Sequence, residues 1–91
     1  MTLNTALKIA ETAHQQGNFQ QAEQAYLKLI NDFNSNDATF GLATLYAHQK
    51  KYDRAITLFA KALTEEPLAI DITLNFSMCL AAAKSTEHAL K

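Results

Sequence analysis

Two stretches of the sequence repeat one pattern. "HQQGNFQQAEQAYLKLI" spans His14–Ile30 and "HQKKYDRAITLFAKAL" spans His48–Leu63. Each reads as a polar turn, an aromatic residue, an alanine and then a second aromatic residue shortly before a lysine. Ala55 follows Ala22 by 33 residues, and Ala89 follows Ala55 by 34. This spacing indicates a copied supersecondary unit, because periods of about 20–50 residues are the signature of repeat architectures.

Within each unit the apolar residues recur with the period of an amphipathic helix. Ala22, Ala25 and Tyr26 lie on adjoining stripes with Leu29 and Ile30, because residues three and four apart share a helix face. The chain contains only two glycines and one proline, which leaves little material for tight turns or barrels and favours helices. We therefore predict helices at about 3–15, 19–31, 37–49, 53–65 and 70–83, and a sixth helix that starts near residue 86.

The residues between these helices predict how each helix starts and ends. Gly17 can adopt a left-handed backbone conformation and end the first helix, and Asn18 can cap the second. Lys50 occupies the place of Gly17 in the second unit, so that turn has to form without a glycine. Asp37 is the expected cap of the third helix. Pro67 ends the fourth helix, because proline disfavours helix in the residue before it.

The composition favours one globular domain of 91 residues, because 48% of the residues are hydrophobic and 19% are charged. The formal net charge is -1 and the eight Lys and Arg residues are scattered, so there is no basic stripe for a nucleic-acid backbone. Cys79 is the only cysteine, which suits a reducing compartment. The first 17 residues show neither a signal peptide nor a transmembrane run. We expect a cytoplasmic protein with no nucleic-acid or membrane partner.

Small and large residues stand at matching offsets along the units. In the second unit these positions are Leu42, Ala43, Tyr46, Tyr52, Ala55, Phe59, Ala62 and Pro67. In the first unit they are Ile9, Ala10, Phe19, Ala22 and Tyr26. In the third they are Phe76, Leu80 and Ala89, with Thr86 in place of the usual aromatic residue. The pattern resembles the tetratricopeptide repeat, whose unit of about 34 residues is a helix–turn–helix pair. The first unit departs from it at Leu29, where a small residue is usual, and at Asn34, where proline is usual.

The resemblance implies an all-α fold in which antiparallel helix–turn–helix hairpins stack as a short right-handed superhelical α-solenoid. It covers nearly the whole chain as a single array over residues 1–91. Repeat one is expected at about 3–35, repeat two at about 36–69 and a truncated repeat three at about 70–91. The third copy stops about one turn into its second helix. Four apolar residues would then lack a covering helix: Ile72, Phe76, Cys79 and Leu80.

This uncovered face has two explanations. Either the chain is a fragment of a longer protein, or another chain covers the face. An exposed apolar end is a solubility liability, which favours the fragment. In the chain as it stands, the same four residues predict a self-association face that acts by exchange of the terminal helix.

The resemblance also implies a binding surface, because the first helix of each unit lines a concave face that binds extended peptides or helices. The groove residues expected on this basis are Leu7, Glu11, His14, Phe40, Thr44, His48, Leu74, Asn75 and Met78. An apolar strip flanked by polar groups suits an amphipathic helix or an extended apolar segment. The alternative is that the apolar residues pack against one another and the groove is idle.

One subfamily grips the carboxy-terminal tail of heat-shock chaperones with a clamp of Lys, Asn and Arg side chains. The matching positions here are Leu7, Glu11, Gly41, Asp71 and Asn75. The two acidic residues would repel a carboxylate, so we expect no binding of chaperone tails.

Candidate chemistry elsewhere in the chain is sparse. His14 and His48 can approach each other from consecutive units, but Glu11 is the only obvious further ligand, so we expect no metal site. Cys79 stands in an apolar stretch without neighbouring positive charge, which suits a buried side chain rather than a reactive thiol. No serine has histidine and aspartate at a catalytic spacing, and there is no glycine-rich phosphate loop. We expect no enzyme activity and no cofactor.

The sequence thus predicts a non-enzymatic scaffold that binds a protein or peptide partner. Two other functions stay open. "AETAHQQGNFQQAEQAYLKLI" looks like the first repeat of bacterial proteins in which an array precedes a glycosyltransferase, sulfotransferase or methyltransferase domain. Short arrays of this kind also act as small secretion-type chaperones.

Overall fold

Five α-helices make up the described part of the chain in the computed structural model. The structure describes the backbone of residues 2–90 and the side chains of residues 2–85. The helices are α1 (Leu3–Gln15), α2 (Phe19–Phe33), α3 (Asn36–His48), α4 (Tyr52–Glu65) and α5 (Ile70–Leu90). There is no strand in these described residues, which confirms the predicted all-α fold.

The first four helices lie within two residues of their predicted positions, whereas the predicted sixth helix is wrong. Helix α5 runs unbroken to Leu90. Neither glycine nor proline occurs between residues 83 and 86, so nothing in the local sequence ends the helix there. The side chains of Thr86 and Ala89, which were assigned to the third unit, lie outside the described residues.

The cap of α3 also differs from the prediction. The N-cap is Ser35, whose hydroxyl accepts a hydrogen bond of 3.1 Å from the backbone N–H of Ala38. Asp37, the predicted cap, lies in the first turn, where a carboxylate interacts favourably with the helix dipole. Asn18 stands at the N-cap of α2 as predicted, but its side chain makes no capping hydrogen bond.

The two turns inside the hairpins share one backbone conformation. Gly17 has a φ of 80° and Lys50 has a φ of 62°, so both lie in the left-handed region. In this region a side chain on an L-residue approaches the following carbonyl oxygen, which costs about 1–2 kcal/mol. The second repeat therefore forms its turn with a strained lysine, as the missing glycine predicted.

Small residues allow the helices of the array to pack closely. Ala10, Ala22, Ala43 and Ala55 are fully buried, and each helix packs on its neighbours along the chain. The first helices of the three units, α1, α3 and α5, also contact one another in that order. This arrangement brings one face of each of these helices to a common surface.

Two aromatic side chains fill the space between the hairpins. Tyr26 and Phe59 are each 1% exposed. The Phe59 ring lies 6.0 Å from the ring of Phe40 and 6.1 Å from that of Phe76, measured between centroids. The core therefore runs continuously from one unit into the next, as stacking of repeats requires.

The predicted uncovered strip of α5 is wrong at two of its four positions. Ile72 is 3% exposed and Cys79 is 4% exposed, because α5 packs on α4 and contacts α3. Phe76 is half-buried and stacks on Phe59, while Leu80 is 45% exposed as expected. Among the described helices, none combines the length and apolar character that crossing a membrane would need.

Candidate functional site

A groove runs along the first helices of the repeats. It encloses about 750 Å³ and is formed mainly by α1 and α3, with the start of α5 at one end. Spacings of three and four residues place its side chains on one face of each helix. The described residues that line it are Leu7, Glu11, His14, Gln15, Gly17, Phe19, Tyr26, Asp37, Phe40, Gly41, Thr44, His48 and Asp71.

The structure brings together the predicted groove residues of the first two repeats and leaves out those of the third. Those brought together are Leu7, Glu11, His14, Phe40, Thr44 and His48. Leu74, Asn75 and Met78 do not line this groove in the described part of the chain; Leu74 is 57% exposed and Met78 is 61% exposed. From α5, Asp71 reaches the groove instead. The use of this surface stays a prediction.

Tyr26 forms part of the groove wall although it comes from a second helix, α2. A Cβ built on Gly41 would lie 2.7 Å from Cζ of Tyr26, closer than any side chain tolerates. Sequence reasoning missed Tyr26 as a lining residue, but Gly41 gave a signal. A glycine inside a helix is about 1 kcal/mol less favourable than alanine, so it indicates a close approach by another group.

The environment of Tyr26 disfavours ionisation of its phenol. Burial raises the pKa of Tyr26 to about 12, and the negative charge of Glu11 adds to the shift. The phenol is therefore a hydrogen-bonding group without charge at neutral pH, placed beside a carboxylate.

A pair of histidines joins the two full repeats inside the groove. Nε2 of His14 and Nδ1 of His48 lie 2.7 Å apart, so one nitrogen donates and the other accepts. The His14 ring also meets the rings of Phe19 and Tyr26 edge-on, at centroid distances of 6.0 Å and 6.4 Å. The predicted approach of the two histidines is confirmed.

Burial lowers the pKa of His14, and the charge of His48 lowers it further. His14 is therefore neutral at pH 7. In the described residues no group of three or more His, Cys, Asp and Glu side chains could hold a metal ion. The hydrogen bond of the histidine pair links α1 and α3.

The charged groups of the groove all have one sign. Glu11 lies on α1, Asp37 in the first turn of α3 and Asp71 in the first turn of α5. None of the described lining residues is Lys or Arg. Oδ1 of Asp71 accepts a hydrogen bond of 2.9 Å from the backbone N–H of Ile72, which fixes this carboxylate at the helix start. The groove therefore favours cations and disfavours anions.

Cys79 lies away from the groove in the hydrophobic core. Its thiol is buried, and burial raises its pKa. The thiolate, which is the reactive form, is therefore disfavoured, as the apolar sequence around Cys79 predicted.

The fold and the groove can be compared with known families. A family model described as tetratricopeptide repeat matches residues 7–70. That segment contains nearly all of the first two predicted repeats and ends at the first residue of α5. No curated protein matches the chain. The match covers well over half of the 91 residues, so the chain belongs to the tetratricopeptide repeat family, whose repeats serve generally as protein–protein interaction scaffolds.

Proposed function

We propose that this protein is a non-enzymatic scaffold that binds a segment of a partner protein in the groove of α1, α3 and the start of α5. One observation supports this most directly. The half-buried apolar side chains of Leu7, Phe19 and Phe40 line an open groove, and most of its other residues are polar or charged. Such a mixture buries apolar groups of a ligand while polar groups fix its orientation.

The size of the groove suits a short peptide segment. Its volume of about 750 Å³ lies within the range of about 300–1,000 Å³ that is usual for ligand sites. A helix of the length of α1 rises about 20 Å, which corresponds to about six residues of an extended peptide. A helical segment of similar length would present about four turns.

The groove is held in shape by groups that touch across its helices. Tyr26 packs directly on Gly41, and the imidazoles of His14 and His48 are hydrogen-bonded. A surface fixed in this way loses little conformational freedom when a ligand binds, which favours affinity.

The test is selection from a library of random peptides, followed by mapping of the bound peptide. Peptides about twice the length of the groove would be selected on the full chain, and NMR chemical-shift changes would locate the site without any substitution. We expect the largest shifts at the backbone amides of Gly41, Thr44 and Glu11. Shifts confined to the outer side of α5, around Met78, would contradict the proposal.

A pair of variants adds an energetic test. Phe40→Ala should weaken the selected peptide at least about tenfold, because large apolar anchors dominate binding energy. Phe33→Ala is the matched control, since Phe33 is 53% exposed and outside the groove lining. Circular dichroism establishes that both variants are folded, and equal affinities for the two folded variants would contradict the proposal.

We also propose that the outer face of α5 mediates self-association. Leu74 and Met78 are 57% and 61% exposed, and they lie four residues apart on one face of this helix. Leu74→Glu should abolish a concentration-dependent increase in mass measured by sedimentation equilibrium. Thr73→Glu, a change of an exposed polar residue on the same turn, is the control. A wild-type chain that stays monomeric at high concentration would exclude this face as an interface.

A further inference from the structure

We infer that the partner segment is basic, with at least one Lys or Arg next to a large apolar residue. This inference rests on the proposed function, because it names the chemistry of the ligand in the same groove. It follows from the distribution of charge between the groove and the rest of the chain.

The groove is acidic although the chain as a whole is almost balanced. The sequence has eight Lys and Arg residues against nine Asp and Glu residues. In the groove, Glu11, Asp37 and Asp71 have no basic counterpart among the described lining residues. Each carboxylate comes from a different helix, so the segregation of charge is a property of the assembled surface.

His14 does not offset these carboxylates at neutral pH. Burial lowers the pKa of His14, and its hydrogen bond to His48 requires that one of the two facing nitrogens act as an acceptor. Tyr26, the other titratable group that faces the pair, is neutral because its pKa is about 12. The groove therefore presents a negative potential to a ligand at pH 7, although the N-termini of α3 and α5 partly offset the charges of Asp37 and Asp71.

The positions of the apolar residues in the groove indicate where the ligand needs apolar groups next to its charges. Leu7 and Phe40 are half-buried in the lining, while Glu11, Asp37 and Asp71 are exposed. Lysine and arginine suit this arrangement, since their methylene stems pack on apolar surface while the charged head reaches outward. A guanidinium can also bind a carboxylate through two parallel hydrogen bonds.

The groove would repel an acidic segment, or a segment that ends in a free carboxylate. Its carboxylate would approach three like charges, and like charges across an interface suppress the wrong partner. The same electrostatic term makes the affinity for a basic segment decrease as salt concentration rises, because exposed charges are screened.

The experiment sorts peptides selected on the full chain by their net charge and then tests the strongest binder on two variants. The groove variant combines Glu11→Gln, Asp37→Asn and Asp71→Asn. The control variant combines Asp32→Asn, Glu65→Gln and Glu66→Gln, which are exposed acids outside the groove lining. Both variants lose the same formal charge, and the Asp71→Asn change keeps an acceptor oxygen for the N–H of Ile72.

We expect selected peptides to have a net positive charge and to bind the groove variant at least about tenfold more weakly than the control variant at low salt. Neutral or acidic binders that map to the groove would overturn this inference and leave the proposed function standing. Basic binders with equal affinity for the two variants would overturn it as well. Absence of any groove binder would overturn the proposed function and this inference together.

Discussion

The first and second repeats have the same backbone design but differ sharply in burial. Ile9 of α1 is 50% exposed, whereas Leu42, its equivalent 33 residues later in α3, is 1% exposed. Helix α3 has neighbours on both sides in the array, and α1 has neighbours on one side only. Position in the stack therefore decides how much a given residue contributes, as expected when stability comes from nearest-neighbour interfaces.

The largest effect should come from truncation of these two equivalent residues. Leu42→Ala should lower the free energy of unfolding by about 2–5 kcal/mol, because it leaves a cavity in a packed core. Ile9→Ala should cost about 1 kcal/mol or less, since half of the side chain is already in water. Urea denaturation of both variants measures the difference. Equal losses would show that the end repeat is as tightly packed as the middle one.

The next largest effect on stability should distinguish Gly41, which precedes Leu42, from Lys8, which precedes Ile9. Gly41→Ala should destabilise the protein by about 1–3 kcal/mol, because the added methyl group collides with the Tyr26 ring and over-packs the interface. Lys8, which stands 33 residues earlier on α1, is exposed, and Lys8→Ala should change the stability by about 0.5 kcal/mol or less. Thermal melting by circular dichroism compares the two. A neutral Gly41→Ala variant would mean that Tyr26 can move aside without loss.

A smaller effect is expected at the turns. Lys50→Gly should raise the free energy of unfolding by about 0.5–1 kcal/mol, because relief of left-handed strain exceeds the extra backbone entropy of glycine. Gly17→Ala should lower it by about 1 kcal/mol for the converse reason. The same urea titration measures both. A loss of stability in Lys50→Gly would indicate that the lysine side chain contributes more than its backbone strain costs.

The smallest effect should separate the two hydrogen-bonded histidines by pH. The folded-state pKa of His14 lies below the ordinary value of 6.5, so the unfolded chain takes up a proton more readily. Stability attributable to His14 is complete above pH 6.5 and is lost as the pH falls towards and through the lowered folded pKa. His14→Gln should therefore flatten the pH dependence of the free energy of unfolding.

His48→Gln is the matched variant for this test. It removes the smaller cause of the shift, the charge of His48, and leaves the larger one, burial of His14. We expect it to flatten the pH dependence less than His14→Gln does. Denaturation measured well above and well below pH 6.5 gives both slopes, and an unchanged slope in His14→Gln would refute the assignment.

The helices of the first two repeats could be predicted because two copies of one pattern fix the register between them. A single copy shows only that the segment has a helical period. A second copy shows which positions correspond, and so where each helix begins and ends. The cap of α3 could not be fixed in the same way. Ser35 and Asp37 are both good capping residues, and the turn geometry after Asn34, which has a φ of 51°, decides between them.

The third unit was harder to predict because apolar residues occur all round α5 between residues 74 and 83. Its stretch "NFSMCLAAA" offers no single polar face, so the sequence does not show which side meets α4. Ile72 and Cys79 face the core, while Leu74 and Met78 face outward, away from the groove lining. The groove residues of α1 and α3 could be predicted because the resemblance to the tetratricopeptide repeat assigns positions on the first helix of each unit to the concave face.

The pattern of neighbour contacts also has a kinetic consequence. Every hairpin is built from helices adjacent in sequence, and chains dominated by such local contacts fold within microseconds to milliseconds. The groove is different, because it requires α1, α3 and the start of α5 to come together across intervening helices. We expect each hairpin to form early and the binding surface to form last. A partner segment can therefore bind the groove only after all the hairpins have packed against one another.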